Sequence, residues 1–161
     1  MTSESCGGWL CAATVLLACY TALPETVVYH QARLLRRPVE PSRGLIEAEV
    51  TRAARAFDLE PRLLHALVKV ESGYQREAES RVGARGLSQV MPFNAKRCGL
   101  EREQLWDAVA NVRCGALILR QELDRLGDLS AALTVYNCGK TNCEAGKQYA
   151  QKVIALSTLV R

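Results

Sequence analysis

Aromatic side chains are scarce in this sequence, making up 6% of its 161 residues. Strands draw on aromatic and β-branched residues, so the shortage, beside abundant Ala, Leu, Arg and Glu, disfavours a sheet-built core. No apolar–polar alternation runs beyond a few residues, and there is no internal repeat or low-complexity tract. A strong charge of one sign is also lacking. The net charge is +4 and the basic residues are dispersed; their one cluster, Arg33, Arg36 and Arg37, lies in a segment read below as a linker. Nucleic-acid recognition calls for a basic stripe or a known motif, and neither is present. The chain has two histidines and no paired Cys-x-x-Cys array, which leaves no basis for a zinc site. His30 falls in the linker and His65 on a helix, where both read as structural or solvated.

One apolar run stands out, from Gly8 to Leu23, closed by Pro24 and Glu25. It is shorter than the roughly 20 residues that span a bilayer comfortably. Its length and small-residue exit suit a secretory signal peptide, although no Lys or Arg precedes it and Glu4 is acidic. Leu16-Leu17-Ala18-Cys19 resembles a lipobox, with Cys19 as the residue to be lipidated; a soluble cleaved signal and an uncleaved anchor are the alternatives. Cys6, Cys11 and Cys19 belong to this leader. The remaining four, Cys98, Cys114, Cys138 and Cys143, form an even set, which in an exported chain suggests disulfides. Three pairings are open. Cys98–Cys114 and Cys138–Cys143 are favoured because each closes a local loop.

With 48% hydrophobic and 24% charged residues, the chain reads as one globular domain with an appendage. Residues 24–43 hold three prolines and no sustained period beyond a short helical stretch from Val27 to Leu35, and read as a linker. The folded part follows, over residues 44–161. Leu45, Ile46, Val50, Ala53, Ala54 and Phe57 recur at helical spacing, with Ser42 placed to cap them. Pro61 suits the first turn of a second helix, with Leu63, Leu64, Leu67, Val68 and Val70 facing a core and an end near Glu71-Ser72-Gly73. A Gly-rich loop surrounds Gly83 and Gly86. A short helix is predicted from Pro92, and a long one from about Asp107 to Leu126, with Val109, Val112, Ala116 and Leu119 on its apolar side. Gly127 closes that helix. Another, capped by Ser130, reaches Asn137, and a last one covers Ala145 to Val160. The class is all-α.

Glu71 is the residue to weigh for chemistry. It ends an apolar helix, and a carboxyl against an apolar wall resists ionisation, so it can donate a proton near neutral pH. A glutamate near a helix end is by itself more often a surface charge. Its surroundings change the balance. Glu71-Ser72-Gly73-Tyr74 is followed by Gly83-Ala84-Arg85-Gly86-Leu87-Ser88-Gln89-Val90-Met91-Pro92. Further on come Asn111-Val112-Arg113-Cys114-Gly115 and Val135-Tyr136-Asn137-Cys138-Gly139. In this order and spacing the segments resemble the four motifs of the soluble lytic transglycosylase catalytic domain, over about residues 44–157. The departures are Ser88 where Met is usual, Cys114 and Cys138 where Ala is common, Val135 for Ala, and Ile118 where Tyr is frequent.

The resemblance implies a lysozyme-like fold with a groove for peptidoglycan glycan strands, no metal or organic cofactor, and Glu71 as catalytic acid/base. It places Ser72 beside the glutamate as an orienting residue and Gln89 in the substrate groove. Tyr136 stands near the catalytic carboxyl with a hydroxyl to offer it, Asn137 lies beside Tyr136, and Asn111 is structural. It implies cleavage between N-acetylmuramic acid and N-acetylglucosamine to 1,6-anhydro ends, in the periplasm. A secretion, conjugation or pilus apparatus is a further expected partner. A goose-type hydrolytic lysozyme and a non-catalytic wall-binding module are the competing readings.

Overall fold

A computed structural model describes residues 42–159; the leader, the Val27–Leu35 stretch, Cys19 and most of the linker lie outside the described residues. Five α-helices and two short 3-10 helices follow one another: α1 (Arg43–Ala56), α2 (Pro61–Ser72), the 3-10 helices Pro92–Cys98 and Arg102–Trp106, α3 (Ala108–Leu126), α4 (Leu129–Cys138) and α5 (Glu144–Leu159). The described residues contain only isolated β-bridges, Glu79 with Arg85 and Arg85 with Val90, which pin the loop after α2.

The helix ends obey local chemistry. The Ser42 hydroxyl accepts from the Leu45 N–H at the start of α1. Pro61 opens α2, and Asp107 caps α3 through the Ala110 N–H at 2.8 Å. The cap of α4 differs from the expected Ser130. Gly127 ends α3 in the left-handed conformation, the chain reverses within a residue, and Asp128 is the first capping side chain available, accepting from the Ala131 N–H at 2.7 Å. Ser130 lies inside the helix. Two positions expected on apolar faces are exposed: Leu45 at 62% and Val109 at 46%. Both sit in the first turn of their helices, beyond the end of the core that the later turns cover.

All five helices contribute to the main core, where Leu64, Leu67, Val68, Val112, Leu119, Leu133 and Val153 are shielded from solvent. The α4–α5 hairpin is the most extensive helix pair. It packs closely because position 146 is Gly: a Cβ there would lie 2.8 Å from the Thr134 carbonyl oxygen. A smaller core of Val90, Ala95, Leu105, Cys114 and Ile118 lies under the 3-10 helices, and Tyr136 packs against both. The disulfides are Cys98–Cys114, tying the first 3-10 helix to α3, and Cys138–Cys143, closing the α4–α5 turn, as the sequence favoured.

Asn111 on α3 is fully buried and fully used. Its Nδ2 donates to the carbonyls of Arg85 and Leu105, each at 2.8 Å, and its Oδ1 accepts from the Ser88 N–H at 2.8 Å. Gly86, with φ +73, passes so close that a Cβ would lie 2.5 Å from Asn111 Nδ2. Asn111→Ala leaves three backbone groups unpaired and is expected to destabilise the fold by about 3–5 kcal/mol in urea unfolding. A loss below about 1 kcal/mol would show that the loop holds without it.

Candidate active site

The site is built where α2 stops. Gly73 adopts φ +60 and donates its N–H to the Lys69 carbonyl, closing the helix directly after Glu71 and Ser72. Tyr74 then holds φ +70, a backbone conformation that side-chain-bearing residues adopt at a cost. Three contacts hold it there. Its N–H donates to Ser72 Oγ at 3.1 Å, its hydroxyl meets His65 Nδ1 at 2.7 Å, and the Arg43 guanidinium lies 3.8 Å from its ring centre. Thr51 Oγ1 gives its proton to the Glu47 carbonyl and lies 2.9 Å from His65 Nε2. His65 Nε2 therefore donates to Thr51, and Nδ1 accepts from Tyr74. Burial, reinforced by Arg43 and opposed by Glu47, holds the His65 pKa below its ordinary value, so the ring stays in this neutral form.

Glu71 is mostly buried, and among the described residues one side-chain hydroxyl reaches it: Tyr149 of α5 donates to Oε1 at 2.6 Å. Burial pushes the Glu71 pKa up to about 7, against the opposing pull of that hydrogen bond. The Tyr149 and Tyr136 hydroxyls are both held well above the usual phenol range, chiefly by burial and then by the Glu71 charge, so both remain proton donors. Sequence reasoning named Tyr136 as the donor to Glu71 and missed Tyr149. Tyr136 instead donates to the Ser88 carbonyl at 2.8 Å. The available signal was faint: Tyr149 sits beside the small, buried stripe Gly146–Ala150–Val153, along which α5 packs closely.

The other motif residues converge on one loop. Ser72 Oγ donates to the Leu87 carbonyl at 2.8 Å. Gln89, itself at φ +47, turns its amide inward to the Ala78 and Gly86 carbonyls at 3.0 and 2.9 Å. With Tyr136 on the Ser88 carbonyl and Asn111 on the Ser88 N–H, residues 86–89 are gripped from α2, α3, α4 and their own loop. Gly115 completes the fit, because a Cβ there would lie 2.5 Å from Ser88 Cβ and 2.9 Å from Tyr136 Oη. Asn137 is exposed and, with Tyr136, lines a cleft of about 430 Å³. Met91, Phe93, Asn94, Arg97, Glu122 and Arg125 line it too.

The structure thus places a largely buried acid with a tyrosine hydroxyl partner at the end of α2, next to Ser72, which grips the loop that Asn111 of the Asn-x-x-x-Gly segment also holds. The profile of the Transglycosylase SLT domain family matches residues 49–156. The chain belongs to that family. Similar proteins include a transglycosylase of Enterobacteria phage PRD1, 38% identical over 105 residues, covering 63% of this chain and 39% of the relative. Membrane-bound lytic murein transglycosylase F of Cellvibrio japonicus is 33% identical over 108 residues, covering 63% and 21%. The chain thus spans well under half the length of these relatives. Among solved structures, an inactive Glu-to-Gln mutant of lytic transglycosylase Slt from Pseudomonas aeruginosa superposes with TM-score 0.64 at 26% identity, covering 70% of this chain and 23% of that one. The 70 kDa soluble lytic transglycosylase of Escherichia coli shares the fold, with TM-score 0.62 at 19% identity over 68% of this chain and 23% of its own.

Tyr149→Phe removes the one side-chain hydrogen bond that favours the ionised Glu71. If Glu71 acts as the acid, the fall in kcat/KM with rising pH should move to higher pH, with an activity loss of roughly tenfold below that fall from poorer orientation. An unmoved pH profile would mean that Glu71 does not set it.

Proposed function

We propose that this chain is a peptidoglycan lytic transglycosylase that cleaves the linkage between N-acetylmuramic acid and N-acetylglucosamine. The observation that carries the reading is the Glu71 carboxyl, held protonated near neutrality by burial, with Tyr136, which lines an open cleft, near enough to feel its charge. Burial raises its pKa against the pull of the Tyr149 hydroxyl, and among the described residues no second carboxylate contributes to the shift. Glycosidases that use two carboxylates need both within one site. One acid suffices when the substrate supplies the nucleophile. Glu71 protonates the glycosidic oxygen as the C1–O bond breaks, and the neighbouring N-acetyl group stabilises the positive centre. The carboxylate left behind takes the proton of the C6 hydroxyl, whose oxygen bonds to C1 and closes a 1,6-anhydro ring. No water enters the product. The nucleophile belongs to the sugar under attack, so proximity gives this closure its advantage over water. Tyr149 orients the carboxyl throughout.

Further support comes from the family membership and from the Slt mutant, an inactive variant that carries a Glu-to-Gln change. Two disulfides fit work outside the reducing cytoplasm, which favours the periplasm, with or without a lipid on Cys19. A relative carried by a phage favours a role in opening the wall locally for an envelope-crossing machine.

Digestion of purified peptidoglycan, read by mass spectrometry, tests the reaction. Products should end in 1,6-anhydromuramic acid, one water lighter than hydrolysed ends. Glu71→Gln should lower their formation by at least about a thousandfold, as loss of an essential proton donor does. Reducing ends would instead identify a hydrolase, and unchanged turnover by Glu71→Gln would remove Glu71 from the chemistry.

A further inference from the structure

The cleft that Tyr136 and Asn137 border carries a group of charges that the reaction at Glu71 does not use. Glu122 of α3 is buried, at 7% exposure, and two guanidiniums converge on it. Arg125 donates from Nε and Nη2 to Oε2 at 2.9 and 2.6 Å, and Arg97 donates from Nη2 to Oε1 at 2.9 Å. The same Arg97 nitrogen reaches Gln121 Oε1 at 2.8 Å. Burial pushes Glu122 towards its neutral form, but the hydrogen bonds and charges of Arg125 and Arg97 together outweigh it and hold its pKa below the ordinary value. Glu122 therefore stays ionised, and two positive charges against one negative leave the group with a net charge of +1.

All three residues line the cleft that Tyr136 and Asn137 border, and Glu122 is the one acid among its lining residues. Arg97 commits one nitrogen to protein. Among the described residues, its Nε and Nη1 make no hydrogen bond or ion pair. Phe93, 68% exposed in the same cleft, offers an apolar face where a sugar ring can lie. A guanidinium held in place by a buried carboxylate is pre-organised, so little side-chain freedom is lost when it binds a second anion.

We propose that Arg97, fixed by Glu122 and supported by Arg125, is a receptor for a carboxylate carried by the glycan strand, and so makes this site prefer anionic over amidated or uncharged wall. The inference rests on the wall-glycan reading above. Two sources offer that chemistry: the carboxylates of a peptide stem, and the lactyl carboxylate of muramic acid once the stem is gone. Arg97 acts in binding and touches no reacting atom.

The test is binding, so that it stands apart from turnover. Purified Glu71→Gln chain is titrated calorimetrically with soluble muramic-acid tetrasaccharides in three forms: stems with free carboxylates, the same stems as carboxamides, and stems removed. The form that presents the bound carboxylate should bind roughly tenfold tighter than a form that lacks it, the usual size for one charge-assisted contact. The stemless sugar identifies the source: it matches the carboxamide form if a stem carboxylate is bound, and it binds tighter than both stemmed forms, which then bind alike, if the lactyl carboxylate freed by stem removal is bound. Glu71→Gln/Arg97→Gln, which keeps the Arg125–Glu122 pair, should lose the preference, and Glu71→Gln/Arg97→Lys should restore part of it. Equal binding of all three forms, or a preference that survives Arg97→Gln, would overturn the inference. Binding with the expected preference but no anhydro products from the native chain would overturn the transglycosylase reading and leave this one standing.

Discussion

Three hydrogen bonds from one buried amide hold the site together. Asn111 takes two carbonyls and one N–H from three separate places in the chain, Arg85, Leu105 and Ser88. The segment it fixes has no regular ladder of its own, and its buried backbone groups need partners from elsewhere. Once residues 86–89 are held, Leu87 enters the core and its carbonyl meets Ser72, while the Ser88 carbonyl meets Tyr136. The loop that meets the end of α2 at Ser72, next to Glu71, is thus assembled from contacts that Asn111 makes compatible. Asn and Gly recur four residues apart on α3 because one face must grip the loop and the next turn must make room for it.

The burial of Glu71 has an energetic consequence. The Glu71 carboxyl titrates near 4.5 in an unfolded chain and at about 7 in the folded one. Between those values the folded protein binds more protons than the unfolded chain. The stabilisation from a neutral Glu71 is therefore complete below about pH 4.5 and is lost as pH rises through 7. Its size is on the order of 3 kcal/mol. Above neutrality, the fold carries an ionised carboxyl that its surroundings do not favour, offset elsewhere by the core, the two disulfides and the strapped α4–α5 hairpin. An acid poised near 7 can be protonated before bond cleavage and ionised after it, which is what one group serving as acid and then base requires.

Much of this was legible in the sequence because helical order is written locally. Apolar spacing, Pro61 and the terminal glycines gave five helices with boundaries within a residue or two, and cysteine spacing gave both disulfides. The cap of α4 was misplaced by two residues because Asp128 and Ser130 are both good caps and only the tight turn at Gly127 selects between them. The motif positions were legible through family resemblance, but their contacts were not. Tyr149 lies 78 residues from Glu71 along the chain, and nothing local marks its hydroxyl as the one that reaches the acid. The inward turn of Gln89 depends on a left-handed backbone that its neighbours in sequence do not specify. Local pattern shows which face of a helix is buried; long-range packing decides which polar tips meet.

The account stands or falls on the protonation state of one carboxyl. A side-chain carboxyl-carbon NMR titration of the glutamate-labelled chain, with Glu71→Gln used to identify the resonance, reads it directly. The account predicts that the signal missing from the variant titrates with a midpoint at about 7. A midpoint near the ordinary 4.5 would show that Glu71 is hydrated and ionised at neutral pH, and would contradict the proposal that it is the proton donor.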